Sequence, residues 1–406
     1  MRAWVVVLAA SCAAVGRAAA ACESAMDCSL NGDCASGSCV CDAGWTGDAC
    51  GTLDFLPTPP SAGYFNASAS SWGGYPVRDP SSGNWHLFAA EMVNGCGLGD
   101  WKTNSRVIRA ESSSGPLGPF SFAEQVHAPF AHNPAPRVDP VTGEVLLFFI
   151  GGWTRTPKVC GSGDEGGPAT GPASGLGWAP DCGPPPLNDG CGIHLMTAPS
   201  ALGPWAEASA RYVNVTGADW ACARTNPGAW ALPNGTVMLA LNAGYCHAHD
   251  EQIGLAWAKR GVAGGFSMRE TGPAIAGGHR DEDPFLWRSG RGWHMLVHGL
   301  EQGEPEGRLA FSEDGLSWRL GAAPAYNSTI VFTNGTTVTA ATVQRPQLLF
   351  APGTEHSAAP RPLALWNGAS FGAGMWGESH TLVRPVNTAE GRAAARECLS
   401  AGRDRT

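Results

Sequence analysis

A proline-led cassette recurs five times between residues 72 and 386, and nothing else in the 406-residue chain restricts its fold as strongly. The copies open at Gly74-Tyr75-Pro76-Val77, His132-Asn133-Pro134-Ala135, Thr225-Asn226-Pro227-Gly228, Glu282-Asp283-Pro284-Phe285 and Gln344-Arg345-Pro346-Gln347. Each leads through a polar turn to a second apolar run, at 85–90, 145–150, 236–241, 293–297 and 362–366. Later in the units come a third run and then a Gly or Ser followed closely by an aromatic residue: Phe120, Trp205, Phe266 and Trp318. The prolines lie 58, 93, 57 and 62 residues apart, a period near 58 with one insertion of about 35 residues. With 55 Gly and 31 Pro, the composition favours turns and short strands over long helices. Four short strands in each of five units predict an all-β, five-bladed β-propeller. A β-sandwich would not repeat a full four-strand cassette. The closing aromatics are expected to pack blade on blade.

Ahead of the repeats, residues 1–21 combine Arg2, an apolar run from Trp4 to Val15 and Ala18-Ala19-Ala20, the pattern of a secretory signal peptide. The run is too short to span a bilayer, and no later segment reaches eighteen apolar residues, so no membrane span is expected. Five N-x-S/T sequons, at Asn66, Asn214, Asn234, Asn327 and Asn334, fit a secreted glycoprotein. A net charge of −9 with only three lysines argues against nucleic acid as a partner. Residues 51–71 read as a linker and 387–406 as a charged tail.

Six cysteines crowd into residues 22–50 as C-x5-C-x5-C-x4-C-x-C-x8-C. A segment this small needs disulfide staples, and spacing alone leaves fifteen connectivities open. The stretch from Cys39 to Cys50, with its C-x-C, Gly44-Trp45 and Gly47, resembles the epidermal-growth-factor-like (EGF-like) module. The resemblance implies the pairs Cys22–Cys34, Cys28–Cys39 and Cys41–Cys50. It also implies an extracellular setting in which the module contacts a protein partner. The calcium-binding version carries an acidic residue before its first cysteine; here that residue is Ala21. Seven cysteines follow the module: Cys96, Cys160, Cys182, Cys191, Cys222, Cys246 and Cys398. Two or three disulfides are expected in mouth-side loops, Cys222–Cys246 foremost, with Cys398 left over. No C-x-x-C pair occurs among them, which disfavours zinc.

In a meandering blade the start of strand one and the end of strand two share a rim. That rule places Tyr75, His132, Asn133, Arg224, Asn226, Asp281, Glu282, Asp283 and Arg345 at one mouth from strand-one starts. From strand-two ends it adds Glu91, His247, His249, Asp250, His298 and Glu301. Several carboxylates on a polar rim suit sugar hydroxyls. The insertion, Trp153 to Gly190, leaves from the same rim.

The unit pattern over residues 72–386 is similar to the five-bladed propellers of the arabinanase, levansucrase and invertase superfamily, and closest to glycoside hydrolase family 43. That family places its general acid in a Glu-Gly-Pro motif at a blade start. Glu282-Asp283-Pro284 matches at Glu and Pro, so the resemblance implies Glu282 as acid, with Asp283 and Arg280 to orient or tune it. The family's base precedes the blade-one proline, where this chain has Tyr75, and its tuning Asp falls at Ala135. Replacement carboxylates would come from Glu91, Asp250 or Glu301, or a base from His132 or His247. Arg78-Asp79-Pro80 matches invertase-type relatives by letters, but Asp79-Pro80-x-x-Gly83 parallels Asp139-Pro140-x-x-Gly143 and reads as a turn. The superfamily often has a channel histidine near a bound ion, a place that His380 would fill; no other cofactor is expected. The functional expectation is a secreted carbohydrate-active protein, glycoside hydrolase-like. The alternative is a glycan-binding or adhesion protein that uses the mouth for sugar and the module for partner contact.

Overall fold

The computed structural model describes residues 22–152, 156–160, 192–221, 224–244, 251–301, 306–371 and 377–403. Residues 1–21, Cys182, Cys191, Cys222, Cys246, His247, His249 and Asp250 lie outside these, and so does the expected Cys222–Cys246 bond.

Five antiparallel sheets follow one another along the chain. Blade one is Ser71–Arg78, Trp85–Met92, Ser105–Ser112 and Ser121–His127. Blade two is Ala131–Val138, Val145–Gly151, Gly192–Ala198 and Arg211–Tyr212. Blade three is Thr225–Ala231, Val237–Gly244, Glu251–Ala258 and Phe266–Met268, edged by Val215–Thr216, which pairs in parallel. Blade four is Asp281–Arg288, Trp293–Gly299, Gly307–Ser312 and Arg319–Leu320. Blade five has three strands, Thr342–Phe350, Pro362–Ser370 and Ser379–Pro385. Its open edge is met by the chain entering the propeller, through bridges Phe55 to Val386 and Tyr64 to Thr381. Second strands such as Trp85–Met92 are buried at every residue because neighbouring blades cover both faces.

The closing aromatics do pack between blades. Phe120 lies edge-on to Trp366 of blade five, Trp205 to Phe88 of blade one, and Phe266 to Phe148 of blade two. Trp318 of blade four bridges to Ile275, beyond the last strand of blade three.

Both Asp-Pro-x-x-Gly sequences form the turn between strands one and two. Asp79 accepts from the backbone and hydroxyls of Ser81 and Ser82, Asp139 accepts from Val141 N–H, and Gly83 and Gly143 donate back to the two aspartate carbonyls.

The first strands of blades two to five each carry a bulge in which two residues face one. The unpaired residues are Asn133-Pro134, Asn226-Pro227, Asp283-Pro284 and Arg345-Pro346. In blade one they are Gly73-Gly74, since Trp72 pairs with Ala90 and Tyr75 with Phe88. Four prolines are therefore equivalent, and Pro76 stands two residues further along its strand. This corrects the expected register of blade one. Gly73 is at φ 60°, and a Cβ there would come within 3.2 Å of the Arg345 Cβ, so crowding at the axis favours glycine.

The EGF-like module contains the three expected disulfides, Cys22–Cys34, Cys28–Cys39 and Cys41–Cys50. It packs against blade four at the end where strands one and two turn. Arg291, in that turn, reaches Asp33 and Asp42, and Trp45 stacks on Trp287 with ring centroids 6.2 Å apart. A fourth disulfide, Cys96–Cys160, joins the loop after strand two of blade one to the start of the insertion. A helix, Ala389–Arg403, caps the chain; its Cys398 is buried and unpaired among the described residues. No described helix is long and apolar enough to cross a membrane.

Candidate functional site

The bulges put one residue from each of blades two to five in the left-handed backbone region: Asn133 (φ 52°), Asn226 (47°), Asp283 (59°) and Arg345 (52°). Asn and Asp tolerate this conformation best among residues with a Cβ. Their side chains close a ring across the axis. Asn133 Nδ2 donates to Asn226 Oδ1, Asn226 Nδ2 to Asp283 Oδ1, and Arg345 Nη1 to the same Asp283 oxygen at 3.1 Å. Arg345 Nη2 returns to the Asn133 carbonyl, and its own N–H donates to Asp283 Oδ2. The five bulges thus encircle one axis, and this ring floors the mouth.

Above the ring, blades three and four bring acidic groups together. Glu282 lies directly before the Asp283 bulge, opposite His298 on strand two; His298 Nδ1 and Glu282 Oε1 are 3.2 Å apart. Glu251 opens the third strand of blade three and is bonded by Arg280 at 3.3 Å. Burial raises both glutamates above the ordinary carboxylate range; the charge of Glu282 pushes Glu251 further, while Arg345 pulls Glu282 back. Asp283 is pushed up to about 6 by burial and by Glu282, against the pull of Arg345. Asp281 is 1% exposed, and neither carboxylate oxygen has a hydrogen-bond partner; Arg308 stands 3.5 Å away, and burial lifts this group to about 6. Burial works the other way on His298 and holds it neutral. The result is a set of crowded carboxyls of which some keep a proton near neutral pH.

The predicted residues divide by position. Glu282, Asp283, Asn133, Asn226, Arg345 and His298 converge on the mouth or its floor. Glu301 is on the same rim, held by His279 and Arg308. His132 precedes the blade-two bulge but is buried, bonded to Ser105 Oγ at 2.7 Å and stacked on Trp101, with burial and then Arg345 driving its basicity well down. Glu91 is fully buried and accepts from Tyr64, Asn66 and Arg106, a closed set within blade one and the chain entering it, so it does not supply the second carboxylate. Tyr75 is the clear correction. Directly after the blade-one bulge, it faces the opposite end of the channel, with the Arg137 guanidinium 4.5 Å over its ring. His380 lies beside Glu378 and the rings of Phe65 and Phe371. No third His, Cys, Asp or Glu donor joins this pair among the described residues.

The sequence reading missed Glu251. The signal was present: a third strand runs parallel to the first, so its start shares the mouth rim, and the rim rule was applied only to strands one and two. The same extension adds Glu306, half-buried just before the third strand of blade four, whose carboxyl burial also raises.

The family description of a Teneurin-like EGF domain matches residues 25–52. No curated protein matches the chain. Among solved structures, Zg3597, a family 117 glycoside hydrolase of the marine bacterium Zobellia galactanivorans, is 13% identical, with 83% of this chain and 90% of that one covered at a TM-score of 0.52. The catalytic domain of the family 62 α-L-arabinofuranosidase of Coprinopsis cinerea is 10% identical over 83% and 96%, at 0.51. The α-L-arabinofuranosidase of Podospora anserina, solved with cellotriose, is 8% identical over 83% and 96%, at 0.50. At these identities the likeness is one of fold: an EGF-like module sits on a five-bladed propeller that glycoside hydrolases also use.

Proposed function

We propose that this is a secreted carbohydrate-active protein that hydrolyses glycosidic bonds at the carboxylate mouth, with Glu282 as general acid and Glu251 as its partner carboxylate. The observation that carries the reading is the convergence of two half-buried glutamates on one mouth, with the charge of Glu282 opposing the ionisation of Glu251. Glycosidases need one carboxyl protonated and one ionised at the same pH, and like-charge burial supplies that. In this reading Glu282 donates its proton to the leaving oxygen while ionised Glu251 acts on the opposite side. His298 orients Glu282, Arg280 holds Glu251, and Asp283 with Arg345 fixes the floor. The EGF-like module and four disulfides support export, and the module would serve an extracellular protein partner.

One observation favours glycan binding without turnover. The bulge position where the resemblance calls for a base is Gly73, so blade one offers no carboxylate there. A screen of aryl glycosides and polysaccharides with wild type, Glu282→Gln and Glu251→Gln separates the two readings. Hydrolysis falling by about 10²–10⁴-fold in Glu282→Gln supports the assignment. Hydrolysis unchanged in Glu282→Gln removes it, and retention on a glycan array without any turnover favours the binding reading.

A further inference from the structure

A cavity lies at the end of the channel opposite the carboxylate mouth, where the strand-one turns meet. It encloses about 540 Å³, room for about eighteen water volumes and within the range of small-molecule sites. Its walls are largely apolar and aromatic, with Tyr75, Trp85, Trp230 and Phe350 prominent.

Two residues of that wall each lack something: Arg137 a counter-charge, Trp230 a hydrogen-bond acceptor. Arg137 is 5% exposed, and no carboxylate lies within ion-pair distance of it among the described residues. Its guanidinium donates to the carbonyls of Ala229 and Pro136 and to Gln347 Oε1, and lies over the adjoining rings of Tyr75 and Phe285 at 4.5 and 4.8 Å. These contacts hold the group in place, but none neutralises its charge, and a buried cation is normally paired. Burial draws it down to about 10. Trp230 is 3% exposed, and its Nε1–H has no hydrogen-bond partner. The indole N–H is closed off from the cavity, whereas a cation without a counter-charge at the wall of an apolar cavity calls for an acceptor that carries negative charge. Half-buried Glu355, an acidic group of this wall, is itself raised by burial, and Arg137 opposes that rise.

We propose that this cavity binds an apolar monocarboxylate, with Arg137 as counter-charge and the aromatic walls around the hydrocarbon body. Glu355 weakens such a ligand by repulsion. The site is independent of the chemistry at the mouth.

The test compares 4-phenylbutyrate with 4-phenylbutan-1-ol, which share a body and differ in charge, by calorimetric titration of the full chain. The acid is expected to bind at least tenfold more tightly than the alcohol. Glu355→Gln should tighten the acid severalfold and leave the alcohol unchanged. Val138→Trp, on the part-exposed rim of the cavity, should weaken both at least tenfold without touching the buried arginine. Glu282→Gln should alter neither. Equal binding of acid and alcohol, no binding of either, indifference to Val138→Trp, or weakening by Glu282→Gln would each overturn the proposal.

Discussion

Removing the positive charge from the floor ring is the most direct trial of the reasoning about buried acids. Arg345 and Asp283 are each 2% exposed at the side chain, and the guanidinium makes one bond to the Asp283 carboxylate and one to the Asn133 carbonyl, both at 3.1 Å. Arg345→Met keeps an unbranched chain at a left-handed position and deletes charge and donors together. Breaking one side of a buried ion pair costs about 3–5 kcal/mol because the other charge is stranded. Asp283 limits that cost by taking a proton. Its carboxyl is already up at about 6 with Arg345 present, and losing the guanidinium raises it further. At pH 8 the full penalty of about 3–5 kcal/mol applies. At pH 5 the carboxyl is protonated in the folded state with or without Arg345, and the penalty falls to two lost hydrogen bonds, about 2 kcal/mol. At about 2 °C per kcal/mol for a protein of this size, the melting temperature should drop about 6–10 °C at pH 8 and about 4 °C at pH 5. Equilibrium urea unfolding followed by tryptophan fluorescence at both pH values measures the difference. A loss that is the same at both, or below about 1 kcal/mol at pH 8, refutes the claim that burial of Asp283 is what Arg345 offsets.

Two further outcomes follow from the same electrostatics. The folded value of Glu282 is raised to about 7 from about 4.3 unfolded. Its contribution is therefore complete below the unfolded value and lost as pH climbs through the folded one. Glu282→Gln should accordingly be more stable than wild type at pH 8 by about 2–4 kcal/mol, the gap closing by pH 4, as read from urea midpoints; a variant less stable than wild type at pH 8 contradicts this. His294 has the opposite sign: buried, stacked on Trp287 and bonded to Ser289, it is held down to about 3. Its stabilisation is present above about 6.5 and lost as pH falls from there toward about 3, so the advantage of wild type over His294→Gln should shrink by about 3 kcal/mol between pH 7.5 and 4.

How far these groups could be read from the sequence differs from level to level. The cysteine framework of residues 22–50 and the five-unit repeat were legible because covalent staples and periodic apolar strands leave strong local signals. The turn identity of Asp79-Pro80-x-x-Gly83 was legible because it occurs twice. Blade one was misread by two residues because Pro76 imitates a bulge proline, whereas the backbone needs glycines at 73 and 74 to clear Arg345; only the ladder to Ala90 and Phe88 reveals this. Glu91 looked like a rim acid because strand topology fixes where a side chain starts, not which neutralising partners it meets. Arg137 gave no signal at all, since an arginine after a proline says nothing about the cavity it will face.

The grip of Arg291 on Asp33 and Asp42 has a geometrical result. The disulfide-rich head is seated on the underside of the propeller, at blade four, so anything that seizes it from outside holds the molecule by its base. The acidic opening then points outward from the anchorage, and a long polymer can approach it without colliding with the support.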